Sequence, residues 1–207
     1  DYILSHCSLR RDVLGLNPRG LARFVRDYRT WKRDRTGPFA TPFAEGGAFV
    51  RSEPGLDRPD LQLHFVPGIV DNHMRRIRLA DGFSCHVCVL RPFSRGRVGL
   101  HSADPAAAPR IDPGSLSDAR DMALLMKGAR IMDALLTSEP LAPWRGRRLY
   151  PHDWSDAALE QDIRNRADTI YHPVGTCRMG SDPEAVTDLE GRVNGVSGLR
   201  VCDASLM

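Results

Sequence analysis

The chain has 207 residues, of which 42% are hydrophobic and 27% are charged, and its formal net charge at pH 7 is +3. This length and composition are typical of a globular protein with one large domain or two small ones, and they exclude collagen, a coiled coil and wholesale disorder. The longest uncharged apolar run has the length of a strand, well short of the roughly 18 residues of a membrane helix. We therefore predict no transmembrane segment, and the small net charge gives no reason to expect a nucleic-acid partner.

The five cysteines bear on the cellular compartment. Their odd number and irregular spacing argue against a disulfide framework and favour a reducing environment. We therefore expect a cytoplasmic protein and leave a peripheral position at the inner membrane open. No signal peptide is recognisable at the start, and because Asp1 is not a methionine we expect translation to begin upstream of it.

Residues 1–60 are predicted to be rich in loops, with one helix over residues 19–35. The apolar residues of this helix share one face: Leu21, Phe24, Val25 and Tyr28. Its many basic residues, with Trp31 among them, would suit a nucleic-acid surface, but Asp27 and Asp34 interrupt the charge. A solvated helix face is the favoured interpretation.

The rest of the chain is predicted to form strands followed by helices. Alternating or continuous apolar residues predict strands over residues 61–66, 83–90 and 95–101. Helical spacing then predicts one helix from the N-cap Ser117 to about residue 138 and another from the N-cap Ser155 to about residue 167. Strands and helices that do not strictly alternate indicate an α+β fold with an antiparallel sheet and helices on one face.

Cys85 and Cys88 are spaced like a metal-binding or redox pair. On a strand, however, an offset of three places the two side chains on opposite faces of the sheet. They could then not hold one metal ion without a bulge, and no second cysteine pair exists to complete a zinc site. We therefore predict no metal site and interpret both thiols as structural.

The stretch around His172 differs from the other histidine positions. His172 precedes Pro173, which favours extended backbone at a turn, and glycines at 175 and 180 bracket the loop that follows. A histidine on such a loop is a reasonable general base. From the residues alone, a packing role is the favoured alternative.

Several ordered motifs carry a resemblance to a known family. Residues 171–180 read YHPVGTCRMG and residues 198–207 read GLRVCDASLM. Upstream, LRPFSRGRV at 90–98, SADP at 102–105 and IDP at 111–113 follow the same order. Through these motifs, residues 61–207 resemble the glucose–methanol–choline (GMC) flavoprotein oxidoreductases, in particular the choline dehydrogenase-like and bacterial alcohol dehydrogenase branch.

The resemblance implies an FAD-dependent enzyme that oxidises the CH–OH group of an alcohol to an aldehyde or ketone. In the family, the histidine of a His-x-x-Gly-Thr motif faces the flavin and interacts with the alcohol oxygen, and here that residue is His172. The segment at 201–205 resembles the strand end beneath the flavin, so Asp203 and Ala204 become candidate cofactor contacts, through backbone amides as much as side chains. For Asp203, a turn or cap role is an equal alternative.

The resemblance also implies a domain organisation and a set of partners. We expect a substrate-binding domain over 1–165, with a linker region at 1–60, and over 166–207 the returning segment of an FAD-binding α/β domain. An alcohol and an electron acceptor, either oxygen or a quinone-linked carrier, are the expected partners. Alternatives are a hydroxynitrile lyase on the same scaffold and a non-catalytic remnant without flavin.

One family motif is missing from these residues. The family opens with a Gly-x-Gly-x-x-Gly motif that binds the flavin pyrophosphate, and no such motif occurs here. The family's second catalytic His or Asn would follow Met207. We therefore expect an internal piece of a longer enzyme, inactive when isolated.

Overall fold

The structure is a computed structural model that describes residues 1–11 and 13–207. The strands within these residues are β1 (Tyr2–Ser8), β2 (Gly46–Val50), β3 (Leu61–Val66), β4 (Gly82–Val89), β5 (Arg97–Gly99), β6 (Arg110–Asp112) and β7 (Arg145–Arg148). The α-helices are α1 (Pro18–Asp34), α2 (Ala119–Leu136) and α3 (Asp156–Arg166). The chain divides into two compact units, unit 1 with Asp1–Pro92 and Ala119–Asp168, and unit 2 with Phe93–Asp118 and Thr169–Met207.

Unit 1 is built on a five-stranded antiparallel sheet in the order β2-β3-β4-β1-β7. The strands predicted at 61–66 and 83–90 are confirmed as β3 and β4. The prediction that residues 1–60 are mostly loop is wrong for β1 and β2. Because β1 is a central strand with its first five residues all buried, its sequence lacks the alternation that reveals a half-exposed strand.

The register of β4 confirms the prediction for its two cysteines. Cys85 lies opposite Leu4 of β1, whereas Cys88 lies opposite Gln62 of β3. Since side chains alternate along a strand, the two thiols point to opposite faces of the sheet. Both are buried and neither forms a disulfide.

Helices α2 and α3 pack on the same face of this sheet. An ideal Cβ on Gly128 of α2 would lie 2.7 Å from a methyl group of Val87, so the helix backbone approaches β4 closely. The hydroxyl of Tyr2, the residue paired with Val87, donates a hydrogen bond to Asp162 of α3. The mixed α+β fold with helices on one face of an antiparallel sheet is thus confirmed.

The opposite face of the sheet holds a buried polar cluster. One carboxylate oxygen of Asp1 lies 3.1 Å from Nδ1 of His86, and the other lies 3.5 Å from Nε2 of His73. Nearby, the Ser84 hydroxyl accepts a hydrogen bond from the Val70 amide at 2.8 Å. His86 is therefore a packed and hydrogen-bonded sheet histidine.

The helix boundaries follow their capping residues. Asn17 caps α1 by accepting a hydrogen bond from the Gly20 amide at 2.8 Å. Ser155 caps α3 as predicted, accepting from the Ala158 amide at 3.3 Å. Helix α2 begins at Ala119, so the residue before it is Asp118 and not the predicted cap Ser117.

Unit 2 contains the two-stranded sheet of β5 and β6 and the C-terminal segment 169–207. The strand predicted over 95–101 is shorter in the structure, where β5 spans Arg97–Gly99. The assignment of residues 1–165 and 166–207 to substrate-binding and FAD-binding domains stays a prediction. In the described part of the chain, no helix has the length and apolar character required to cross a membrane.

Candidate functional site

Two segments of unit 2 carry the predicted site residues, and backbone hydrogen bonds join them. The amide of Cys177 donates to the carbonyl of Ser205, and the amide of Met179 donates to that of Leu206, both at 2.9 Å. These bonds place the loop that follows His172 alongside the turn that begins at Asp203. The structure thus brings the predicted catalytic and cofactor-binding segments together within one unit.

The backbone changes direction just before His172. Tyr171 has a φ angle of +65°, a left-handed conformation that is unfavourable for a bulky residue. Its amide donates a hydrogen bond to the hydroxyl of Thr169 at 2.9 Å, which stabilises the turn. His172 follows with an exposed side chain, so its imidazole is accessible to a reactant.

The other end of the loop is fixed by an ion pair and by a buried threonine. Arg178 donates two hydrogen bonds to the carboxylate of Asp182, at 2.8 and 2.6 Å. The Gly180 amide donates to the carbonyl of Thr187, a residue that is fully buried. Sequence reasoning missed Tyr171 and Thr187 as supports of the site, because neither residue type signals a strained turn or a buried anchor by itself.

Asp203 acts as a cap in this structure. Its carboxylate accepts hydrogen bonds from the Ser205 hydroxyl and from the Ser205 amide, the latter at 2.8 Å. The hydrogen bond from the Ser205 hydroxyl, and after it the bond from the Ser205 amide, hold the pKa of Asp203 below its usual value. The short helical turn Ala204–Leu206 begins at the next residue. Amides in the first turn of a helix have no partner within it, so the Ala204 amide can donate to an external acceptor.

The described residues offer no competing metal centre. Among them, no group of three or more His, Cys, Asp or Glu side chains is arranged to hold a metal ion. The predicted site residues are instead the exposed His172 and the capped turn at Asp203.

Solved structures share the fold of this chain. The chain superposes over its whole length on a formate oxidase of Aspergillus oryzae RIB40, with a TM-score of 0.84 and 23% identity, covering 41% of that chain. It also superposes over its whole length on pyridoxine 4-oxidase from Mesorbium loti, with a TM-score of 0.76 and 24% identity, covering 37% of that chain. At these identities the likeness establishes the fold alone.

Sequence comparison gives the family. The C-terminal model of the GMC oxidoreductases matches residues 92–207, and the chain belongs to this family. It is 45% identical over 175 residues to an alcohol dehydrogenase [acceptor] of Pseudomonas putida, covering 84% of this chain and 32% of that protein. It is 41% identical over 181 residues to the mitochondrial choline dehydrogenase of Mus musculus, covering 86% and 30%. The chain therefore spans about a third of the length of these curated relatives.

Proposed function

We propose that this chain is part of an enzyme that oxidises the CH–OH group of an alcohol to an aldehyde or ketone, with FAD as its cofactor. The observation that carries the proposal is the hydrogen-bonded pairing of the His172 loop with the Asp203 turn, both inside the segment that matches the family model. The names of the relatives, alcohol dehydrogenase [acceptor] and choline dehydrogenase, support an alcohol as substrate.

In this proposal the Asp203 turn contributes one backbone donor to the FAD site. The Ala204 amide stands at the start of a helical turn, where it can donate to a carbonyl or phosphate oxygen. The Asp203 carboxylate orients this turn through its bonds to Ser205. Both residues are exposed, as contacts to a bound group must be. When bound, FAD supplies the acceptor for the hydride that leaves the alcohol carbon.

In the proposed reaction, His172 is the acid–base group. Its imidazole accepts a hydrogen bond from the alcohol hydroxyl and takes up the proton as negative charge develops on the oxygen. The strained turn at Tyr171 and the Arg178–Asp182 ion pair hold the loop on either side of the ring. A loop held in place keeps the imidazole near the position where it must act, which reduces the ordering needed during the reaction.

The proposal extends to partners, domains and location. We propose residues 1–165 as the substrate-binding domain and residues 166–207 as the returning segment of the FAD-binding domain. The electron acceptor is oxygen or a quinone-linked carrier. For the location, the two candidates are the cytoplasm and a peripheral position at the inner membrane, and cell fractionation distinguishes the two.

The test is anaerobic mixing of the longest natural protein that contains this chain with simple primary alcohols and choline. We expect the protein to carry flavin and its visible absorbance to bleach on mixing with at least one alcohol, because hydride transfer reduces the cofactor. Flavin that stays oxidised with every alcohol, while a cyanohydrin is cleaved, would replace the proposal by a lyase. A protein purified with no flavin and no affinity for it would support a non-catalytic remnant.

A further inference from the structure

Helix α1 is amphipathic, and its apolar side is exposed. Leu21 is 67% exposed, Phe24 is 52% exposed and Tyr28 is 46% exposed. With Val25, these residues form one stripe, since positions three and four apart share a helix face. Phe39 packs edge-on against Phe24, with ring centroids 4.5 Å apart, and extends the stripe into an aromatic patch. We call this set the α1 apolar stripe: Leu21, Phe24, Val25, Tyr28 and Phe39.

A different side of α1 contacts the rest of unit 1. Gly20 is the buried residue of the helix, and a Cβ at this position would collide with the carbonyl of Gly15. Arg23 extends from the same side and donates a hydrogen bond to the carbonyl of Arg11 at 2.6 Å. An amphipathic helix on a globular protein normally buries its apolar stripe against the core. In α1, by contrast, the backbone at Gly20 and the side chain of Arg23 contact the rest of unit 1, and the apolar stripe faces outward.

The positive charge of the chain is concentrated on this helix. From Pro18 to its C-cap Arg35, it contains seven basic and two acidic residues, a net charge of +5. The whole chain has a net charge of +3, so all other residues together contribute −2. By helical spacing, Arg29 and Lys32 border the apolar stripe. Trp31, whose ring lies 5.8 Å from that of Tyr28, adds an amphipathic aromatic side chain at its end.

We propose that α1 binds the surface of a bilayer of anionic lipids, with the α1 apolar stripe inserted at the level of the headgroups. Exposed Phe and Leu on one side and Arg and Lys on the other are the two features by which helices bind in the plane of such a surface. The charge selects anionic over neutral lipid, and long basic side chains can reach the phosphates while their stems cover apolar surface. Because binding needs neither flavin nor an alcohol, its failure would leave the proposed oxidation untouched.

The experiment measures flotation of the 207-residue chain with unilamellar vesicles of phosphatidylglycerol and, separately, of phosphatidylcholine. We expect binding to phosphatidylglycerol that weakens with added salt, since screening reduces surface electrostatics, and at least about tenfold weaker binding to phosphatidylcholine. Phe24→Ser should weaken binding to phosphatidylglycerol by about tenfold or more, because a large apolar side chain is lost from the insertion. The double variant Arg29→Gln/Lys32→Gln should reduce both the affinity and its dependence on salt.

Matched control variants distinguish binding through the α1 apolar stripe from nonspecific adsorption to lipid. Leu100 is 88% exposed in unit 2, so Leu100→Ser removes an equally accessible apolar side chain elsewhere. Arg97→Gln/Arg147→Gln removes two exposed positive charges outside α1. Both controls should bind like the parent chain, and circular dichroism melting curves should show that every variant is folded.

Three results would overturn the proposal. One is a chain that does not float with phosphatidylglycerol, or a Phe24→Ser variant that floats as well as Leu100→Ser. Another is self-association without lipid that Phe24→Ser abolishes, because the stripe would then be an interface between two copies. The third is a longer natural protein that contains this chain and fails to bind vesicles, since other residues would then cover the stripe.

Discussion

The amide of Cys177 donates a hydrogen bond to the carbonyl of Ser205 at 2.9 Å, linking the loop of the proposed base to the turn of the proposed cofactor contacts. A change at either segment can therefore move the other. For that reason, a test of His172 must measure cofactor occupancy as well as turnover. A loss of turnover at full occupancy would identify a chemical role for the imidazole.

We predict that His172→Ala lowers turnover by on the order of 10²- to 10⁴-fold in the longest natural protein that contains this chain. The side chain is exposed, so its removal should leave folding and flavin content almost unchanged. The imidazole matters most when negative charge develops on the alcohol oxygen, which is a property of the transition state. Steady-state kinetics with a parallel flavin determination measures both quantities.

The control for this variant is His101→Ala. His101 is exposed and lies in the same unit, outside the family motifs near His172. His152 would be a poorer control, because its Nε2 lies 3.4 Å from the hydroxyl of Tyr2 and its loss could disturb that contact. If His172→Ala keeps near-normal turnover at full occupancy, the imidazole has no chemical role in the reaction.

We predict that the 207-residue chain by itself binds FAD weakly or not at all. The glycine-rich loop and helix N-terminus that usually hold the flavin pyrophosphate have no counterpart in its sequence. The donors at Ala204 alone should not compensate for that loss. The measurement is the visible spectrum of protein purified without added FAD, and a stoichiometrically yellow protein would contradict the prediction.

We predict that Cys85 is protected from alkylation in the folded chain. Burial raises the pKa of its thiol to about 12 and also raises that of Cys88, so little thiolate forms near neutral pH. Cys202 is exposed and should react at least about a hundredfold faster. Peptide mapping after iodoacetamide treatment, with and without urea, measures the difference.

The same peptide maps test the sheet register. Residues three apart on a strand are separated by about 10 Å between Cα atoms, beyond the roughly 7 Å limit for a disulfide. A mapped bridge between Cys85 and Cys88, or one tightly bound zinc ion per chain, would show that the β4 assignment is wrong. A Cys202→Ser variant, which should lose only the fast reaction, is the control.

We predict that Gly128→Val destabilises unit 1 by about 2 kcal/mol or more, because its side chain overlaps the close contact of α2 with the sheet. A Cβ there already meets Val87 at 2.7 Å and Leu61 at 3.1 Å. Ala123→Val, at an exposed position of the same helix, should cost only about 0.5 kcal/mol of helix propensity. Urea unfolding curves compare the two, and equal losses would mean that the packing of α2 against β4 is not as described.

We predict that Tyr2 causes the stability of the folded chain to decrease at alkaline pH. Burial and the hydrogen bond to Asp162 raise the pKa of Tyr2, whereas in the unfolded chain it titrates near 10. Above about pH 10 the unfolded state therefore releases a proton that the folded state keeps, so stability falls as the pH rises. Tyr2→Phe should be about 1 kcal/mol less stable at neutral pH and should lose this part of the alkaline decline. An unchanged decline would contradict the prediction.

Local sequence patterns predicted the elements that are determined by residues close together in the sequence. Alternation identified β3, and the offset of three residues placed Cys85 and Cys88 on opposite faces. Ser155 identified the start of α3. In contrast, β1 was missed because a strand buried on both faces lacks a periodic signal. Its place in the sheet depends on partners far away in the sequence.

The candidate site could be predicted from the sequence only through several motifs that occur in the order typical of the family. His172, Asp203 and Ala204 came from their resemblance to the family, whereas their bonding partners came from the structure. No sequence pattern predicts that Tyr171 takes a left-handed conformation, since tertiary contacts must offset its cost. The functional roles of the three residues stay predictions, and His172→Ala tests the first of them.

The position of β1 has a consequence for how the protein folds. It is synthesised before both of its partner strands, which contribute Val87 on one side and Arg148 on the other. During translation β1 therefore cannot pair until β4 and β7 have been synthesised. Pairing closes long loops between these strands, which makes assembly of the sheet slow. A nascent chain that stops before β7 would leave one edge of this apolar strand unpaired, and unpaired edges promote aggregation. Chaperone binding to stalled nascent chains should therefore decline once β7 has left the ribosome.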